Sequence, residues 1–195
     1  IVDKKNSLPI LSNILIVAGN NSLILSSTDM DISIIEKINC NISEDGSTTI
    51  NSQILYDIVR KIDENSEIEI ISNDGKLLTL RADGSRFSLA CLPKEDYPII
   101  DKNNNGTNIK LNSRIFYKLI DKTKFAISNE ETRYFLNGLY FNITNENNNN
   151  IVTLVGTDGH RLAKFSHTVE EDTDEIPGVI IPKKTIYELS KLLSE

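Results

Sequence analysis

The stretch "VGTDGHRLAKF", residues 155–165, places Asp158, His160 and Arg161 within four positions and holds one of only two histidines in the chain. A carboxylate, an imidazole and a guanidinium this close could perform general acid–base work. Covalent catalysis would also need an activated Ser, Cys or Lys. No nucleophile elbow and no Gly-rich phosphate loop occurs in the sequence. A zinc site would need further His, Cys or carboxylates at close spacing, and Cys40 and Cys91 do not supply it. His167 stands in the polar run "FSHTVEED" and reads as a solvated loop residue. An enzyme using Asp158, His160 and Arg161 therefore remains a rival reading that lacks its nucleophile.

The elements that position this cluster occur twice. "LSNILIVAGNNSLILSSTDMDISI" (11–34) and "FLNGLYFNITNENNNNIVTLVGTDGHRLAKF" (135–165) each run through an alternating strand, a polar turn and a second alternating strand into Thr-Asp. "STTINSQILYDIVRKI" (47–62) likewise parallels "GVIIPKKTIYELSKLL" (178–193). Such self-similarity predicts two α+β units, each with helices on one face of an antiparallel sheet. The shared Thr-Asp reads as a turn in which the Asp side chain accepts from backbone amides. Gly159, His160 and Arg161 stand where the first copy has Met30–Asp31, an asymmetry that equal structural demands do not explain.

Helices are predicted at 52–62 with Asn51 or Ser52 as cap, at 113–127 with Asn112 or Ser113 as cap, and at 183–193. Their apolar positions are Ile54, Leu55, Ile58, Val59 and Ile62; Ile115, Phe116, Leu119 and Ile120; and Ile186, Leu189, Leu192 and Leu193. A Gly-Asn-Asn turn and Asp-Gly turns at Asp74–Gly75 and Asp83–Gly84 punctuate further strands. In "RFSLACL", Phe87, Leu89 and Cys91 share one face. The Asn-rich tracts 103–105 and 145–150 read as loops, and 92–108 reads as a linker between domains 1–102 and 103–195.

The 195 residues carry a net charge of −7, which taken alone argues against nucleic acid as a partner. The distribution argues otherwise. Arg114, Lys118 and Lys122 fall at i, i+4 and i+8 opposite the apolar face of their helix; Lys183 and Lys184 open another; Arg60 and Lys61 close a third. The acids gather in "EIEI" and "VEEDTDEI". The two cysteines read as buried free thiols of a reducing compartment, and no run is long enough to cross a membrane as a helix.

The pattern "RYFLNGLYF … TDGHRLAKF … IIPKK" resembles the second domain of the bacterial sliding-clamp family, the β subunit of DNA polymerase III. "LPILSNILI … SSTDMDISI … RFSLACLP … YP" resembles its first domain. The resemblance implies repeated clamp domains with sheets outside and two amphipathic helices per domain lining a channel. It further implies that the opening strand and helix of domain 1, the closing strands of domain 2 and all of domain 3 are absent. It implies a non-catalytic, cytoplasmic, nucleoid-associated processivity factor that closes as a homodimer around duplex DNA, without a cofactor. The polymerase and clamp loader would dock in a peptide pocket at Leu136, Thr157, Gly159, His160, Arg161 and Leu162. DNA would face Lys5, Arg133 and Tyr134 besides the basic helix residues, and Phe87 and Leu89 would close the ring. A protein-interaction scaffold without DNA is the other alternative.

Overall fold

The computed structural model of the chain describes residues 8–73, 75–98, 109–130, 132–146, 149–169 and 175–194. The chain packs as two compact units, Ile1–Lys102 and Asn103–Glu195. Lys5, Asp74 and residues 99–108 of the predicted linker lie outside the described residues.

In the first unit, strands β1 (Asn13–Gly19), β2 (Ser22–Thr28), β3 (Ser33–Asn39) and β4 (Gly46–Asn51) form an antiparallel sheet in the order β3-β2-β1-β4. Asn20 and Asn21 both take positive φ, +50° and +52°, as a two-residue hairpin turn requires. Helix α1 (Ser52–Val59) follows, then β5 (Glu69–Asn73), β6 (Leu77–Ala82) and β7 (Ser85–Ala90) as a three-stranded sheet. Asn51 caps α1, its side chain accepting from the Ile54 N–H at 3.1 Å. The helix is shorter than predicted because Lys61 and Ile62 bond back three residues, to the Ile58 and Val59 carbonyls, so Arg60 and Lys61 lie in a turn. Leu55, Ile58 and Ile62 pack on the core of Ile16, Ile50, Leu78, Leu80 and Ala82, whereas Ile54 and Val59 are exposed.

The start of the predicted linker belongs to this unit. Leu92 exchanges hydrogen bonds with Thr49 Oγ1, and buried Tyr97 donates its hydroxyl to the Ser26 carbonyl at 3.0 Å. Cys40 and Cys91 are half-buried and unbridged rather than fully buried.

In the second unit, α2 (Ser113–Thr123) precedes β8 (Gly138–Glu146), β9 (Asn149–Thr157), β10 (Leu162–Val169), β11 (Ile176–Pro182) and α3 (Lys183–Leu192). The sheet order is β10-β9-β8-β11, the arrangement of β3-β2-β1-β4 over again, with a helix following the last strand in both. Leu119 and Ile120 of α2 and Ile186 of α3 bury completely against Leu139, Ile143, Val152 and Leu154, so both helices cover one face of the sheet. Each such side chain contributes about 1.5–3 kcal/mol. Leu192, predicted to face the core, is exposed instead, and Leu189 and Leu193 do the packing.

Two further expectations change here. Within the tract 145–150, residues 145, 146, 149 and 150 are strand rather than loop: β8 and β9 run into it, pairing Asn145 with Asn150 and Glu146 with Asn149. Helix α2 ends at Thr123 rather than at residue 127, because the Thr123 hydroxyl donates to the Leu119 carbonyl at 2.8 Å and the chain tightens into a 3-10 turn, Lys124–Ala126. Phe125, in this turn, is 56% exposed.

Candidate functional site

One end of the second sheet gathers the predicted pocket residues. β8 starts at Gly138, β9 ends at Thr157 and β10 starts opposite it at Leu162, so the turn 158–161 and Leu136 lie at the same end. The end of α2 lies there too: a Cβ on Gly156 would come within 2.7 Å of the Thr123 carbonyl oxygen, so only glycine lets the helix sit this close.

The turn is held by its own side chains. Thr157 Oγ1 donates to the Arg161 carbonyl at 2.7 Å and accepts from the Gly159 N–H at 3.2 Å. Asp158 Oδ1 accepts from the N–H groups of His160 and Arg161 at 3.1 and 3.0 Å. These backbone donors, Arg161 first, together with the Arg161 guanidinium, hold the Asp158 carboxyl below the usual carboxylate range against the opposing effect of burial. A carboxylate so engaged is a structural acceptor and a poor general base. Among the described residues, no three His, Cys, Asp or Glu side chains form a metal-sized group.

The first unit builds the same turn. Thr28 Oγ1 donates to the Ile32 carbonyl at 3.0 Å and accepts from the Met30 N–H at 3.1 Å; Asp29 Oδ1 accepts from Asp31 and Ile32 at 3.0 and 2.8 Å. The predicted pairing of Met30–Asp31 with three residues is thus corrected: Met30, Asp31, Ile32 and Ser33 correspond to Gly159, His160, Arg161 and Leu162. Gly159 has a local reason as well, its φ of +88°, and Met30 takes +80° at the equivalent place. Free space is not the constraint at Gly159, since a Cβ there would meet only the Arg133 side chain at 3.7 Å.

What differs is the outward surface. Leu162 is 66% exposed, and Leu136 is half-buried. Arg161 donates through Nε to Asp158 Oδ2 at 2.9 Å and through Nη2 to the Phe125 carbonyl at 2.8 Å, with its guanidinium 5.6 Å from the Phe125 ring centre. Tyr134 and Phe135, both exposed, meet edge to face at 5.6 Å, and Arg133 is ion-paired with Glu130 at 3.1 Å.

The basic residues distribute unevenly. Arg114, Lys118 and Lys122 are exposed on α2, away from buried Leu119, Ile120 and Thr123, although Lys118 leans over the Phe165 ring at 5.7 Å. Lys183 and Lys184 open α3, and the Lys183 ammonium donates to the Asn129 side chain. Lys124 joins the two helices through Asp121 at 3.2 Å and Ser190 at 3.0 Å. In the first unit, Arg60 lies over Tyr56 and 4.0 Å from Asp57, while Lys61 is exposed. Phe87 and Leu89 are half-buried against that unit's own core on edge strand β7. Phe87 also lines a hollow of about 400 Å³ with Ile54, Ile58 and Ile62.

The N-terminal domain of the DNA polymerase III beta subunit matches residues 1–101, and the central domain of that subunit matches residues 110–195. The chain belongs to the DNA polymerase III beta subunit family. The beta sliding clamp of Caulobacter vibrioides is 41% identical over 194 residues, 99% of this chain and 52% of that protein. That of Pseudomonas aeruginosa is 33% identical, over 100% of this chain and 52% of its own length. A DnaN sliding clamp of Bartonella birtlesii bound to griselimycin superposes with a TM-score of 0.89 at 43% identity, over all of this chain and 52% of that one. The Caulobacter crescentus clamp gives 0.92 at 41%, with the same coverage. The chain thus spans about half the length of the relatives it matches. The α+β units read from the repeat, and the repeated clamp domains that the resemblance implies, are the architecture of the beta subunit family.

Phe125 and Asn129 went unrecognised in the sequence. Phe125 fell on the Arg114–Lys118–Lys122 side of the predicted helix 113–127 rather than among its apolar positions, and Asn129 stood in a polar loop without a motif.

Proposed function

We propose that the protein is a sliding clamp, a non-catalytic processivity factor that encircles duplex DNA and tethers the replicative polymerase, with units 1–102 and 103–195 as its first and second domains. The observation that carries this reading is the exposed row Arg114–Lys118–Lys122 on α2, opposite residues buried in the sheet, in a chain of the beta subunit family. Phosphate contacts from such a row position the protein without reading sequence, as sliding requires. Lys183, Lys184, Arg60 and Lys61, with Arg133, Tyr134 and Lys5, extend the DNA-facing set. The test is the salt dependence of duplex binding by the full-length protein. Removing one lysine or arginine that neutralises a phosphate should lower the log–log slope by about 0.9. An unchanged slope after Arg114→Ala, Lys118→Ala and Lys122→Ala together would remove the row from DNA binding and favour the scaffold reading.

Ring closure falls to the open edge of β7 with Phe87 and Leu89, beside the hollow that Phe87 lines with Ile54, Ile58 and Ile62. Full-length protein carrying Phe87→Ala and Leu89→Ala should dissociate to monomers at nanomolar concentration in sedimentation. The polymerase and clamp loader dock at Leu136, Thr157, Gly159, His160, Arg161 and Leu162, in the cytoplasm of a bacterial cell. Griselimycin, which the Bartonella birtlesii clamp binds, is the probe for that site.

A further inference from the structure

We infer that Phe125 is a positioning residue for the peptide site: it anchors Arg161 and ties the Thr157–Leu162 turn to the end of helix α2. The inference rests on the reading of this end of the sheet as the peptide site. The first unit supplies an internal control. Its Thr28–Ser33 turn closes with the same Thr and Asp side-chain bonds, a further bond from Ser33 Oγ to Thr28 Oγ1 at 2.8 Å, and an isoleucine, Ile32, in the place of Arg161. The arginine is therefore not needed to make the turn. Two of its interactions reach Phe125, 36 positions away: the 2.8 Å bond to the backbone carbonyl and the stacking over the ring.

The Phe125 ring is itself 56% exposed, so its place at the surface is not explained by core packing. It forms the floor on which the guanidinium lies, while Asp158 Oδ2 holds the Nε side at 2.9 Å. An arginine held from two sides has given up most of its rotamer freedom before any ligand arrives, and binding then has less to freeze. A lysine would not match it, because an ammonium's three N–H donors diverge from one nitrogen, whereas the guanidinium presents Nε and Nη2 from separate positions of a planar fork.

The experiment is calorimetry of griselimycin against the full-length protein and its variants, together with the exchange rate of the Arg161 Nε–H by NMR. Phe125→Ala should weaken binding about two- to fivefold, the range a surface cation–π interaction is worth, and should speed Nε–H exchange. Phe125→Tyr, which keeps the ring, should restore both. Phe125→Leu keeps apolar bulk without the ring and should behave like alanine, which covers the case of an alanine variant that does not fold. Wild-type affinity and exchange in both Phe125→Ala and Phe125→Leu, with binding still weakened in Leu162→Ala, would overturn the role of Phe125 and leave the pocket standing. Wild-type affinity in Leu162→Ala as well would overturn the pocket itself.

Discussion

The turns at Thr28–Ser33 and Thr157–Leu162 have one skeleton and two surfaces. In both, a threonine hydroxyl spans the turn, an aspartate oxygen receives two backbone N–H groups, and the third residue takes positive φ. In the first unit the outward residues are Met30, Asp31 and Ser33; in the second they are Gly159, His160 and Leu162, with Arg161 fastened to Phe125. Structure therefore accounts for Thr and Asp in each copy, and the residues that differ are free to recognise something. The apparent Asp–His–Arg constellation dissolves on the same comparison, since its aspartate does in the second unit what Asp29 does in the first.

The comparison breaks most readily at Leu162. Leu162→Ala should cost griselimycin affinity on the order of 2 kcal/mol, roughly thirtyfold, while Ser33→Ala at the equivalent place should leave calorimetric affinity unchanged. Removing the shared part should act alike in both units. Asp29→Ala and Asp158→Ala each take the acceptor from two backbone N–H groups and should each lower the urea midpoint of the full-length protein. A large loss at one and none at the other would deny the common skeleton.

A smaller effect sharpens the contrast at the positive-φ position. Met30→Gly relieves a side chain at φ +80° and should stabilise by about 0.5–1 kcal/mol, offset in part by chain entropy. Acid supplies the mildest test. The folded pKa of Asp158 is depressed, so its contribution is complete above the unfolded value of about 3.9 and is lost as pH falls through the lower folded value. NMR titration of the Asp158 carboxyl should find its midpoint below that of an ordinary aspartate.

Much of this was legible in the residues. The Asn20–Asn21 turn, the Asn51 and Asn112 caps and the doubled Thr-Asp follow from local chemistry, which short-range patterns record. The break in α2 was not legible, because residues 121–127 hold no Gly or Pro to mark it and the tightening after Thr123 shows only in the folded backbone. The Arg161–Phe125 tie was hidden for a different reason, as it joins residues 36 positions apart that only the folded sheet brings together. Lys183 and Asn129, 54 apart, are the same case.

The most direct measurement gives the second unit the first unit's outward residues. Full-length protein carrying Gly159→Met, His160→Asp, Arg161→Ile and Leu162→Ser together keeps every side-chain bond that the Thr28–Ser33 turn uses. Its unfolding free energy should change by no more than about 1–2 kcal/mol, its duplex-binding salt slope should hold, and calorimetry should register no griselimycin binding. Retained griselimycin affinity in a folded protein with this turn would contradict the assignment of peptide recognition to residues 159–162.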